Sequence, residues 1–97
     1  MGRKVRMMKK ATRSLSLIQE YLITKFGVNT SKKFFLRLDG LLMLLSDSPE
    51  LGRVFSNDRA IYSFVLRKQV ILFYRFDAKN LIVLEVFDVR RNPQNLP

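Results

Sequence analysis

The hydrophobic period of this chain changes once, and that change constrains the fold more than any single residue. Up to Leu45 apolar side chains recur every three or four positions, and from Arg59 onward they alternate or run together. The first pattern is that of helices packed along one face; the second is that of strands. Ala11, Leu15, Ile18, Leu22 and Phe26 step by four, three, four and four, which places them on one helical face. Gly27 then suits a C-terminal cap. Asn29, Thr30 and Ser31 are good N-caps for a second helix. Its inner stripe is Phe34, Leu38, Leu41 and Leu45, widened by Phe35 and Leu42. Gly40 costs this helix about 1 kcal/mol relative to Ala, and its small size would suit close packing on the first helix. Pro49 lies past the end, where a helix stops. Two helices with so short a link predict an antiparallel hairpin.

Three segments follow, "RAIYSFVL", "QVILFYRF" and "LIVLEVFDV", rich in β-branched and aromatic residues. Arg67–Gln69 and Asp77–Asn80 interrupt them with polar stretches of hairpin length. Val5–Met8 offers a short first strand. The expected fold is therefore α+β, one domain over residues 1–97: an N-terminal strand and a helix hairpin packed on a four-stranded antiparallel sheet. The strands read apolar on both faces, and two helices cover only one. The other face is expected to be apolar over several hundred Å², covered by a partner or a second copy, or else by loops or the N-terminal arm. Arg75, inside an apolar strand, needs a partner if buried, and Glu85 on the next strand is the candidate.

Composition narrows the chemistry. There is no Cys or His, so a disulfide framework, a thiolate or imidazole metal site, and a Ser/His or Cys/His triad are all excluded. No metal or cofactor is expected. Eighteen Lys+Arg against eight Asp+Glu leave a net charge of +10, which favours nucleic acid or acidic proteins as partners. The longest purely apolar run, Leu41–Leu45, falls far short of the ~20 residues of a membrane span. The start, "MGRKVRMMKK", has no apolar segment behind its charges. The expected location is the cytoplasm, without membrane contact.

Three stretches carry a resemblance: "KKATRSLSLIQEYLITKFG", "LLMLLSDSPELGRVF" and "VILFYRFDAKNLIVLEVFDVRRNP". The Ala…Leu..Ile..Tyr helix, the Pro-x-x-Gly-Arg connector (Pro49, Gly52, Arg53) and the terminal Arg-x-Asn-Pro occur in order from about Val5 to Pro93. In these the chain resembles the RelE/ParE superfamily of toxins from bacterial type II toxin–antitoxin modules, with an ending similar to Bacteroidetes-type members. Asp88 stands where many members have histidine. The resemblance implies a growth-inhibiting toxin neutralised by a smaller, acidic cognate antitoxin, in a hetero-oligomer or alongside a homodimer.

The superfamily has two known activities: the RelE branch cleaves mRNA on the ribosome, and the ParE branch poisons DNA gyrase by binding. The RelE branch carries two lysines and an arginine at positions matching Ser63, Val65 and about Ile71 here, and none of these three supplies charge. A ParE-like gyrase inhibitor is thus the leading expectation, with Arg53, Arg59, Arg67, Lys68, Arg90 and Arg91 as target-binding residues. The alternative is a ribosome-dependent endoribonuclease using Arg59, Lys68, Arg90 and Arg91. A third reading is a degenerate toxin or plain basic nucleic-acid-binding module. The N-terminal cations Arg3, Lys4, Arg6, Lys9, Lys10 and Arg13 are read as solvated surface or as contacts to an acidic partner.

Overall fold

The structure, a computed structural model, describes residues 2–90. Strand β1 (Lys4–Met7) leads into helices α1 (Lys9–Phe26) and α2 (Val28–Asp47). A single 3-10 turn, Pro49–Leu51, connects to β2 (Arg53–Ser56), β3 (Ile61–Arg67), β4 (Val70–Phe76) and β5 (Asn80–Asp88). The expected fold class holds: a helical pair lies on one face of a sheet. The sheet has five strands rather than four, in the order β1-β5-β4-β3-β2. It is mixed, because β1 runs parallel to β5, pairing Val5 with Leu81 and Met7 with Val83. Parallel pairing needs a crossover connection, and the helix pair with the rest of the sheet provides it.

Gly27 alone joins the two helices. Its φ of 97° is left-handed, so it ends α1 and opens α2 in one residue. Its N–H bonds to the carbonyls of Leu22 and Ile23. The expected start of α2 after Asn29–Ser31 therefore moves back to Val28. The predicted stripe of α2 is buried as read, with Phe34, Leu38, Leu41 and Leu45 all in the core. In α1, Ala11, Ile18 and Leu22 are buried, while Phe26 at the C-terminal end is exposed and lies edge-on to Tyr21. Gly40 does not pack on α1: a Cβ built there meets no atom within 4 Å.

The main core joins these helices to Val70, Leu72, Tyr74, Leu81, Val83 and Val86 on the near face of the sheet. The far face is not the broad bare surface expected. Ile61, Phe73 and Phe87 form a second, smaller buried cluster with Ile71, Leu84 and Val89 around it. Phe55 from β2 closes edge-on over Phe73, ring centroids 4.8 Å apart. The unexpected strand β2 thus covers part of what the sequence left open.

Arg75 and Glu85 do not pair. The β4–β5 register slips between Phe73 and Tyr74, so Phe73 lies opposite Glu85 and Arg75 opposite Ile82. An extra residue in β5 at this bulge displaces every later pair by one. Arg75 is exposed and needs no buried partner. The buried Glu85 carboxylate instead accepts the Val86 amide at 2.9 Å and lies 3.8 Å from Lys10 Nζ on α1.

Candidate functional site

The Pro49-x-x-Gly52-Arg53 connector owes its shape to Tyr74, a fully buried residue of β4. The Tyr74 hydroxyl donates to the Pro49 carbonyl and accepts the Gly52 amide at 3.0 Å. Burial pushes the hydroxyl pKa up, and the Gly52 amide pulls against that. A side chain on Gly52 would collide with the Tyr74 hydroxyl and approach the Ser63 carbonyl oxygen at 2.8 Å. Glycine is required here by close approach, not by backbone angle. The connector delivers Arg53 exposed at the head of β2, opposite Ser63.

At the other end of the domain, the arginine that closes the described chain is held internally. Arg90 makes a two-pronged contact to Asp88, Nε to Oδ1 at 3.1 Å and Nη2 to Oδ2 at 2.8 Å. Its backbone amide also donates to Oδ1 at 3.0 Å. The guanidinium lies 5.4 Å from the Tyr21 ring centroid, over α1. Hydrogen bonding to Asp88 raises the Arg90 pKa further. Asp88 is buried, so this arginine neutralises a carboxylate that would otherwise be costly to bury. Arg90 therefore ties β5 to α1, which is a structural role the sequence did not suggest. Arg91 lies outside the described residues.

The remaining predicted cations are exposed but scattered. Arg59 sits in the turn after β2, where its amide donates to Ser56 Oγ at 3.3 Å and its neighbour Ala60 takes a φ of 54°. Arg67 ends β3 and Lys68 follows it in the turn, at the end where β5 finishes, since Val70 pairs with Asp88. Seven residues of β3 separate the two turns, about 20 Å of strand. The structure brings Lys68 and Arg90 to one end and leaves Arg59 at the other, so the proposed four-residue catalytic set is not a single site. Arg67 instead joins Lys33 and Arg37 of α2 around a shallow concavity of about 180 Å³ with Thr30 and Phe34. Sequence reasoning missed Lys33 and Arg37. Their spacing of four on a helix was the available signal. Among the N-terminal cations, Arg3 Nε donates to the Asp77 carbonyl at 2.6 Å and Arg6 Nε to Asn80 Oδ1 at 2.9 Å. They help fix β1 to the β4–β5 turn.

Among the described residues there is no group of acidic residues suited to a metal ion, and no helix is long and apolar enough to cross a membrane.

Residues 5–93 match the profile of the ParE toxin of type II toxin–antitoxin systems, parDE. The chain belongs to the ParE toxin family. No curated protein matches this family member significantly. Among solved structures it is similar to the chromosomal ParDE toxin–antitoxin system from P. aeruginosa, with a TM-score of 0.73 and 14% identity over 89% of this chain and 95% of that one. It is also similar to the RelBE2 toxin–antitoxin complex from Mycobacterium tuberculosis, with a TM-score of 0.54 and 20% identity over 91% of this chain and 99% of that one. At these identities the likeness is one of fold.

In this ParE-family toxin Ser63, Val65 and Ile71, the positions the sequence resemblance sets against the RelE branch's cations, gather on the far face of the sheet. Val65 pairs with Ile71, and Ser63 with Phe73, so Ser63, Val65 and Ile71 are neighbours on adjoining strands. The three side chains themselves are one hydroxyl and hydrocarbon. None of these three side chains can withdraw a proton from a ribose hydroxyl or neutralise a phosphorane; the near cation is Arg53 of β2, paired opposite Ser63.

Proposed function

We propose that this toxin acts by binding, as a ParE-like inhibitor of DNA gyrase, and not by cutting RNA. The observation that supports this reading is that Ser63, Val65 and Ile71, the positions the resemblance sets against the RelE branch's cations, are uncharged neighbours, with Arg53 opposite Ser63 as the one cation beside them among the strand partners. Arg90 does not compensate, because Asp88 already engages it. A binding toxin needs an exposed cationic surface, and Arg53, Arg59, Arg67 and Lys68 supply it from two ends of the sheet. Arg91 is kept among the proposed target-binding residues on its charge alone. The test is a supercoiling assay with purified gyrase, run beside a ribosome-programmed mRNA cleavage assay. Gyrase inhibition without mRNA cleavage supports the proposal. Codon-phased cleavage would overturn it.

The proposed neutralising partner is an acidic antitoxin, which pairs with a chain of net charge +10. Its docking edge is β2, a four-residue edge strand with exposed Val54 and Phe55 beside exposed Leu51 and Arg53. An added strand would satisfy the free edge and cover these side chains. The opposite edge, β1, carries exposed Lys4 and Arg6 and is guarded by charge. The antitoxin would fold as it binds, offsetting its ordering entropy by this burial.

A further inference from the structure

The outer face of α2 has a feature that neither gyrase binding nor strand addition uses. Leu36 and Met43 are the two most exposed large apolar side chains among the described residues, at 70% and 71%. Between them stands Gly40, with open space where a side chain would be and an ordinary negative φ. Leu44, also exposed, completes an apolar stripe at spacings of four, three and one. A glycine in mid-helix costs about 1 kcal/mol against alanine, and among the described residues nothing lies within 4 Å of where its side chain would be.

The stripe is its own complement. If two α2 helices cross antiparallel at Gly40, residues equally distant from it on either side meet. Leu36 then meets Leu44 of the second copy, four residues either way. The Arg37 stem lies along Met43 of the second copy, three either way. Lys33 faces Asp47 of the second copy, seven either way, and both are exposed. Gly40 meets Gly40, where the absence of side chains lets the backbones approach.

The charges agree with the dipoles. Helix α2 has no acid in its first turn and no base in its last, and it ends on Asp47. That arrangement opposes its own macrodipole. Against an antiparallel copy the signs suit: Asp47 points toward the second copy's positive end, and Lys33 toward its negative end. A uniformly acidic partner helix would instead set a carboxylate against Asp47. From these observations we infer that the outer face of α2 is a self-association surface, on which two copies of this chain pair antiparallel about Gly40. One helix pair buries less than a standard interface of about 800 Å² per partner, so the dimer is weak and concentration-dependent.

Sedimentation equilibrium of the 97-residue chain from low micromolar to about 1 mM tests this, with near-native circular dichroism required of every variant. A monomer–dimer equilibrium is expected. Lys33→Asp and Asp47→Lys should each weaken it about three- to tenfold, because each places like charges opposite one another twice. The double variant restores opposite signs and should recover wild-type association, which no structural role of either residue predicts. Gly40→Leu, filling the crossing point, should abolish the dimer, and Met43→Glu provides the same test should Gly40→Leu misfold. A chain that stays monomeric throughout overturns the inference. So does a dimer indifferent to Gly40→Leu and Met43→Glu, or a double variant no tighter than the single ones.

Discussion

Tyr74 holds Gly52 across twenty-two residues of sequence, its hydroxyl oxygen 3.0 Å from the glycine amide and its proton on the Pro49 carbonyl. This pair sets where β2 begins, and with it the edge strand, the position of Arg53 and the Phe55 ring that covers Phe73. Tyr74→Phe keeps the ring and removes both bonds. It should lower stability by about 1–3 kcal/mol, since two backbone groups lose their partner. Gly52→Ala should cost more, because its Cβ has no room beside the Ser63 carbonyl. Urea unfolding midpoints measure both, and an unchanged midpoint for Tyr74→Phe would contradict this account of the connector.

Arg90 is expected to behave as a structural residue. Arg90→Ala removes a two-pronged bond to a buried carboxylate and a contact with Tyr21. The loss should be about 1–2 kcal/mol, at the lower end for a buried pair because the arginine itself is partly exposed. Arg90→Lys should recover only part of it, since an ammonium cannot make the fork. Thermal melts of the three proteins provide the comparison. A catalytic arginine would instead lose activity with no change in the melt.

The β4–β5 turn carries a pH signature. The Lys79 and Asn80 amides donate to Asp77 Oδ1 at 2.8 and 2.7 Å, and they depress its pKa. A depressed carboxylate stabilises the fold above the unfolded pKa of about 3.9, and that stabilisation is lost as pH falls through the folded value. Wild type should therefore exceed Asp77→Asn in stability at neutral pH, with the gap closing below about pH 4. Urea midpoints for both proteins across pH 7 to about pH 3 measure it; a gap that widens in acid would reverse the assignment.

Gly40→Ala should raise the melting temperature. The added methyl meets nothing within 4 Å, the backbone angle is ordinary, and alanine favours helix by about 1 kcal/mol. Differential scanning calorimetry at low protein concentration separates this gain from any effect on association.

Much of the fold was legible because period reports burial. The stripe of Phe34, Leu38, Leu41 and Leu45 and the switch to strands after Arg59 needed no structure. What was hidden depends on pairing, which a period does not encode. Val5–Met8 reads as a strand whether parallel or antiparallel. "RVFS" is too short and polar-flanked to register as β2, and the Tyr74 hydroxyl that positions it lies far away in sequence. The expected Arg75–Glu85 pair failed on one extra residue in β5, a bulge with no glycine or proline to mark it. Of the candidate cations, Arg53, Arg59, Arg67 and Lys68 are exposed. The engagement of Arg90 depended on Asp88, two residues away, and on a tyrosine from another element.

The central claim is that this ParE-family chain arrests growth by binding gyrase. Induction of the chain alone in a bacterial host, with pulse-labelling of DNA and protein synthesis over the first minutes, tests it most directly. The account predicts that DNA synthesis falls first and cells filament. Protein synthesis stopping first, with DNA synthesis intact, would contradict it.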